Sequence, residues 1–170
     1  MDHFTRRLAL HVPRLRRYAR ALAGNAAEAD DLVQDCLERA WRHARQWREA
    51  EDMRPWLFAI LHNVFVSGVR RRVRGPRFAT LEEVPEPVAG GDSRPEGVAA
   101  LRDLERALGG LRDEQREVLL LVALEGLSYE EAAAVLDIPL GTVMSRLYRA
   151  REQLRRQLTG EETMGLRRIK

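Results

Sequence analysis

The chain has 170 residues, with 29 Lys+Arg against 26 Asp+Glu and a net charge of +3. Its one cysteine, Cys36, excludes an internal disulfide and suits a reducing cytoplasm, and four scattered histidines give no zinc-ligand spacing. No apolar run approaches the ~18–20 residues that cross a bilayer, the MDHFTRRLAL start lacks a signal-peptide core, and 45% hydrophobic with 32% charged residues excludes generic disorder.

Charge is unevenly placed. Residues 1–74 carry 15 arginines against 9 acids, residues 75–100 carry 2 against 5, and residues 101–159 carry 9 against 10. The first helical pattern runs from about Phe4 to Ala23, with Phe4, Leu8, Val12, Leu15, Ala19 and Leu22 on one stripe. Pro13 predicts a kink or break inside it, and Gly24-Asn25 stops it. Asn25 followed by Glu28 resembles a capping box opening a second helix, which is expected to bury Leu32, Val33, Cys36, Leu37, Ala40, Trp41 and Ala44. Opposite lies a stripe of Asp31, Gln34, Asp35 and Glu38, then Arg42 and Arg45. Acid early and base late suits the helix dipole, so this face is either solvated or a protein-docking face.

Pro55 predicts the start of a third helix, with Leu57, Ile60, Leu61, Val64, Phe65 and Gly68 inward. Trp56, Asn63, Ser67, Arg70 and Arg74 share its other face, and VRRRVR (69–74) concentrates charge there, including Arg71 and Arg72. An aromatic, an amide and arginines on one surface can stack on an unpaired base and grip phosphates. Equally, Trp56 can pack sideways in the core. The polar segment 46–54 beside this face reads as a connector or as a loop that holds a flipped base.

Residues 75–100 hold four of the seven prolines and four of the twelve glycines, without apolar periodicity. They read as a flexible linker between two helical domains, 1–74 and 101–159, followed by a basic tail, 160–170. The back domain opens with Leu101, Leu104, Ala107, Leu108 and Leu111. A helix over roughly 113–125 carries VLLLVAL and ends at Gly126. Ser128 and Glu131 form a capping signal for the short helix SYEEAAAVL; Asp137-Ile138-Pro139 interrupts, and a last helix runs from Leu140 to about Leu158. Two helices joined by so tight a turn make a helix-turn-helix. Val143, Leu147, Ala150 and Leu154 point inward, while Gly141, Ser145, Tyr148, Arg149, Glu152 and Arg156 face out, flanked by Thr142, Met144 and Arg155. That outward set suits base edges and phosphates in a major groove. Arg146, nearer the core edge, is as suited to an ion pair with Glu130 or Glu131 as to DNA. Nothing reads as a strand, so the expected class is all-α.

Three segments, ADDLVQDCLERAW, RPWLFAILHNVFVSGVRRR and LSYEEAAAVLDIPLGTVMSRLYRAR, resemble in that order the extracytoplasmic-function (group 4) sigma factors of bacterial RNA polymerase. The match covers nearly the whole chain. It implies a sigma-2 helical bundle and a sigma-4 helix-turn-helix, and an alternative sigma factor that directs core polymerase to −35 and −10 promoter elements. It further implies that Asp31, Leu32, Gln34 and Asp35, with Glu38 on the same stripe, dock on the clamp helices of the largest polymerase subunit. Asn63 matches a position near the flipped base of the −10 element, 46–54 the loop shaping its pocket, and Arg70, Arg71 and Arg72 the basic stretch on the −10 strand. Ser145, Tyr148 and Arg149 match positions that enter the −35 groove, whereas Met144 stands where the family is often basic. An anti-sigma protein is the expected regulator. Shorter pieces such as WLFAILHN resemble the branch holding alphaproteobacterial general-stress sigma factors, and the absence of a phosphoreceiver segment separates the chain from the anti-anti-sigma regulators with a sigma-like half. The rival reading is a stand-alone helix-turn-helix regulator, which leaves the acidic stripe and the Trp56/Asn63 face unexplained. A sigma-like decoy that titrates regulators is a second. No paired carboxylates, nucleophile–base set or phosphate loop suggests an enzyme, and neither cofactor nor metal is expected.

Overall fold

The computed structural model describes residues 2–48, 51–74 and 95–160, and all of their regular structure is helical. The helices are α1 (Asp2–Ala23), α2 (Ala26–Arg42), α3 (Met53–Arg74), α4 (Pro95–Gly109), α5 (Asp113–Leu119), α6 (Tyr129–Leu136) and α7 (Leu140–Thr159). A 3-10 turn, Ala44–Gln46, follows α2, and α5 runs directly into a π turn, Leu120–Leu124. The stretch 75–94, most of the expected linker, and the tail beyond Gly160 lie outside the described residues. The helix expected near Leu101 starts six residues earlier, at Pro95, a residue suited to a first helical position.

The first three helices form one bundle on the expected stripes. Leu8, Leu15, Ala19 and Leu22 of α1 meet Ala29, Val33, Cys36 and Ala40 of α2 and Leu57, Leu61 and Phe65 of α3 in a common buried cluster. Pro13 does not break α1, which continues through it. Gly24, at φ +80°, ends α1 in the left-handed region where a Cβ is unfavourable, and the Asn25 side chain accepts the Glu28 backbone N–H at 2.8 Å to start α2. Trp41 departs from expectation: it is 45% exposed, its ring meeting Phe4 edge-on at 6.2 Å. Tyr18, Met53 and Phe58, which the periodicity did not select, are fully or almost fully buried, with Tyr18 and Phe58 in an edge contact at 5.0 Å.

In the second half, Ser128 and Glu131 make both bonds of the capping box, Ser128 Oγ accepting from Glu131 N–H at 3.0 Å and Glu131 accepting from Ser128 N–H at 2.8 Å. Asp137 closes α6 at φ 52°, a left-handed position that an aspartate tolerates better than most side chains. Val143, Leu147 and Ala150 of α7 are buried as their spacing demands. Leu101 and Leu104 of α4 are instead exposed.

The halves are packed together, a point on which the sequence is silent. α6 lies across α3, and α1 touches α5 and the π turn. Beside a shared apolar cluster, the junction carries a network of polar contacts. Arg17 pairs with Glu125 at 2.9 Å, His62 Nδ1 lies 2.6 Å from Glu117 Oε1, Arg54 donates to the Glu125 carbonyl at 3.4 Å, and Arg116 donates to the Leu22 carbonyl at 2.8 Å. Arg116 also donates to the carbonyls of Leu108, Gly109 and Leu111, satisfying groups left open at the end of α4.

Cys36 sits between α2 and α3 with its Sγ 3.6 Å from the Leu57 carbonyl, and burial pushes its thiol up to about 12. A folded-state pKa above the unfolded one means the native chain keeps a proton that the unfolded chain loses, so this group's contribution to stability falls as pH rises from about 9 towards 12. Two outcomes are expected. At pH 8 a thiol reagent reacts at least ~100-fold more slowly with native protein than with protein in concentrated guanidinium, and Cys36→Ala flattens the fall of Tm above pH 9. Equal labelling rates in the two states contradict the buried, protonated thiol.

Candidate nucleic-acid interface

Among the described residues, three faces are exposed. The first is the outer stripe of α2. Asp31, Gln34, Asp35 and Glu38 are exposed one turn apart, and Leu32 is half-buried beside them. Gln34 donates to Glu38 at 3.4 Å, and Glu38 pairs loosely with Arg42 at 3.6 Å; such exposed pairs contribute little to stability. Next to the stripe, α1 and α2 enclose an apolar groove of about 520 Å³ walled by Leu8, Val12, Leu37 and Trp41. The stripe and the groove together offer a partner helix both charge and apolar area.

The second face belongs to α3. Asn63 and Arg70 are exposed, and Ser67 lies between them, its hydroxyl donating to the Asn63 carbonyl at 2.7 Å. Arg71, Arg72 and Arg74 occupy the last turn of α3, where side chains lie outside the described residues. Trp56 is not a free stacking platform: it is half-buried and its ring meets Phe4 edge-on at 6.2 Å. Of the two readings of Trp56, the structure has the sideways-packed one. His62, on another side of α3, turns to Glu117 in the second half. Thus one helix serves a basic outer face and a polar inner one.

The third face is on α7. Met144, Ser145, Tyr148 and Arg149 are exposed, Tyr148 by 71%. Gly141 is exposed and Thr142 half-buried at the first turn, and Ser145 donates its hydroxyl to the Thr142 carbonyl at 3.1 Å. Arg149 makes no hydrogen bond or ion pair with any described residue. The arginines two turns on differ: Arg155 and Arg156 both bond Glu152, at 3.0 and 3.2 Å, and the Arg155 guanidinium holds that carboxyl below the usual range. Their charge is therefore partly spent within the helix. Arg146 is turned away from this face and pairs with Glu114 of α5 at 3.5 Å. The ion-pair reading of Arg146 holds, but its partner is neither Glu130 nor Glu131, because α7 crosses closer to α5 at this turn. Among the described residues no cluster of His, Cys, Asp and Glu could hold a metal ion.

The sequence reading missed the acids that join the halves. Glu117 and Glu125 are the two buried charged residues of the described chain, and the one signal for them is an acid on either side of an apolar run, which equally marks a helix end.

Comparison with known proteins follows the same division. The profile described as Sigma2 domain of PhyR matches residues 8–62, and that described as Sigma-70, region 4 matches residues 101–154. The ECF RNA polymerase sigma factor EcfG of Rhodopseudomonas palustris is 39% identical over 149 residues, covering 84% of this chain and 78% of that protein. The sigma factor RpoE of Bartonella quintana, solved in complex with the anti-sigma factor NepR, superposes with a TM-score of 0.76 at 34% identity, over 94% of this chain and 98% of the other. CnrH, solved in complex with the cytosolic domain of CnrY, gives 0.67 at 29% identity over 92% and 88%.

The different settings of the two arginines on α7 have a measurable consequence. Arg146→Ala removes a partly exposed pair and the packing of its stem, and is expected to lower unfolding free energy by about 1 kcal/mol or less. Arg149→Ala is expected to stay within about 0.5 kcal/mol of the parent. Urea denaturation of both variants checks the order, and a larger loss at Arg149 contradicts the assignment of Arg149 as unpaired.

Proposed function

The chain belongs to the extracytoplasmic-function sigma factors of bacterial RNA polymerase, and from that premise we propose how its faces divide the work of promoter recognition. As an alternative sigma factor it binds core polymerase and directs initiation at −35 and −10 elements. The α2 stripe of Asp31, Leu32, Gln34, Asp35 and Glu38 docks on the clamp helices of the largest subunit. Asn63, Ser67, Arg70, Arg71, Arg72 and Arg74 of α3 face the −10 strand as it is unpaired, with the segment after α2 receiving a flipped base. Trp56 supports this face from within. Ser145, Tyr148 and Arg149 of α7 enter the −35 major groove, with Gly141 and Thr142 at the helix N-terminus against the phosphates. Arg146 buttresses α7 against α5. The observation that carries the α7 assignment is that Arg149 and Tyr148 stand exposed side by side on the outer face of α7, with Arg149 uncommitted while Arg146, Arg155 and Arg156 are paired.

The two elements lie roughly 25 base pairs apart by their designations, about 85 Å of B-form duplex at ~3.4 Å per step. A compact chain of this length has a radius of gyration of only about 15 Å. The packed arrangement therefore cannot reach both, and the halves separate on the promoter, joined by residues 75–94 with a contour of about 70 Å. The groove between α1 and α2 adjoins the polymerase-docking stripe, so an anti-sigma partner seated there competes with polymerase, as fits relatives solved with anti-sigma factors. Such a factor works where polymerase does, in the cytoplasm, and it carries no reaction chemistry of its own.

Run-off transcription from a promoter-fragment library with purified core polymerase tests the division. Promoter-specific transcripts that depend on the added chain are expected. Arg149→Ala abolishes −35-dependent transcripts with core affinity within about twofold, while Asp31→Ala with Gln34→Ala weakens core binding by about tenfold or more. Equal loss of core binding in both variants contradicts the assignment.

A further inference from the structure

Loops hold geometry less well than helices, and a site placed on one needs a supporting shell. The segment between α2 and α3 is supported at both ends. At its start, Trp47 lies against the first two turns of α1: the Phe4 ring centre is 5.9 Å away, and the Arg7 guanidinium carbon stands over the Trp47 ring at 5.4 Å. Phe4 is itself fixed, nearly buried and in edge contact with Trp41 and Trp56, each at 6.2 Å. At the far end, Asp52 accepts the Arg54 backbone N–H at 2.9 Å and pairs with the same residue's guanidinium at 2.6 Å. The aromatic contact holds Trp47 and the carboxylate–guanidinium staple holds Asp52 and Arg54, so the described flanks of the segment are fixed before any ligand arrives.

We propose that Arg7 and Phe4 are positioning residues for −10 recognition: by holding Trp47 against α1 they fix the start of the base-receiving segment, and thereby set how strictly one unpaired base is chosen. This rests on the reading above that the segment receives a base. The cation over the indole is the adjustable part, since a cation–π contact at a partly exposed site is weak enough to change without unfolding the scaffold. Phe4 is the scaffold.

The test uses full-length protein assembled with core polymerase. Transcription is measured from the best −10 sequence and from each of its single-base variants, alongside 2-aminopurine fluorescence at each non-template −10 position, core affinity and Tm. In Arg7→Gln the preference at one −10 position is expected to fall about three- to tenfold, with a matching loss of 2-aminopurine signal there and little change in core affinity or Tm. Arg7→Lys, which keeps a cation over the ring, restores most of the preference. If Arg7→Gln lowers transcription equally on every −10 variant, or Arg7→Lys behaves like Arg7→Gln, the positioning role is overturned. If Trp47→Ala shifts the preference and Arg7→Gln does not, the base-receiving segment stands and the role of Arg7 falls. If neither substitution moves preference or fluorescence, the base-receiving reading falls, and the positioning role with it.

Discussion

The halves of this protein meet across a shared apolar cluster, and two buried carboxylates fix how they fit together. Glu125 has no exposed side-chain surface, meets Arg17 through one oxygen, and leaves its other oxygen without a hydrogen-bond partner among the described residues. Glu117 lies against His62. Tyr18 is buried near both, and burial, then the two acids, drives its hydroxyl pKa well above the usual tyrosine value. Desolvation of such ions offsets much of their attraction. The carboxylates thus add more to the register of the junction than to its strength. The π turn, Leu120–Leu124, carries the chain from the buried Leu120 and Leu121 to Glu125 beside α1 and α3. A single wider turn sets the contact.

That balance fits the proposed separation of the halves on the promoter. When the halves separate, Glu117 and Glu125 regain water, which lowers the cost of opening. An all-apolar junction would expose a sticky surface instead. The same economy appears on α7, where Glu152 occupies Arg155 and Arg156 and leaves Arg149 uncommitted. Net charge counts for less than placement. The excess of arginine in residues 1–74 resolves into an acidic stripe on α2 and a basic end on α3, and residues 101–159, near neutral, still present an arginine on a reading helix.

Much of the architecture was legible in the sequence because it rests on local rules. The stripes of α1, α2 and α7, the stop at Gly24, the Asn25 cap and the Ser128/Glu131 box each depend on residues within a turn or two of one another. What escaped depends on contacts between distant residues. Trp41 has the spacing of a core residue, yet α1 covers it only in part, through Phe4. Pro13 sits within α1, and the helix continues through it. Arg146 pairs with Glu114 rather than with the nearer-in-sequence Glu130 or Glu131, because the crossing of α5 and α7 decides the distance. On α3, Asn63 and Arg70 were placed on the open face by spacing alone, while the commitment of Trp56 to the Phe4 cluster needed the fold.

The division of DNA contacts between α3 and α7 is tested most directly by site-specific photocrosslinking in the assembled holoenzyme. A photoreactive residue replaces Asn63 in one protein and Tyr148 in another, on the same promoter fragment. The account predicts crosslinks from position 63 confined to the non-template −10 strand, and crosslinks from position 148 confined to the −35 element. Crosslinks from both positions to one element, or none from position 148 to the −35 element in a transcribing complex, contradict it.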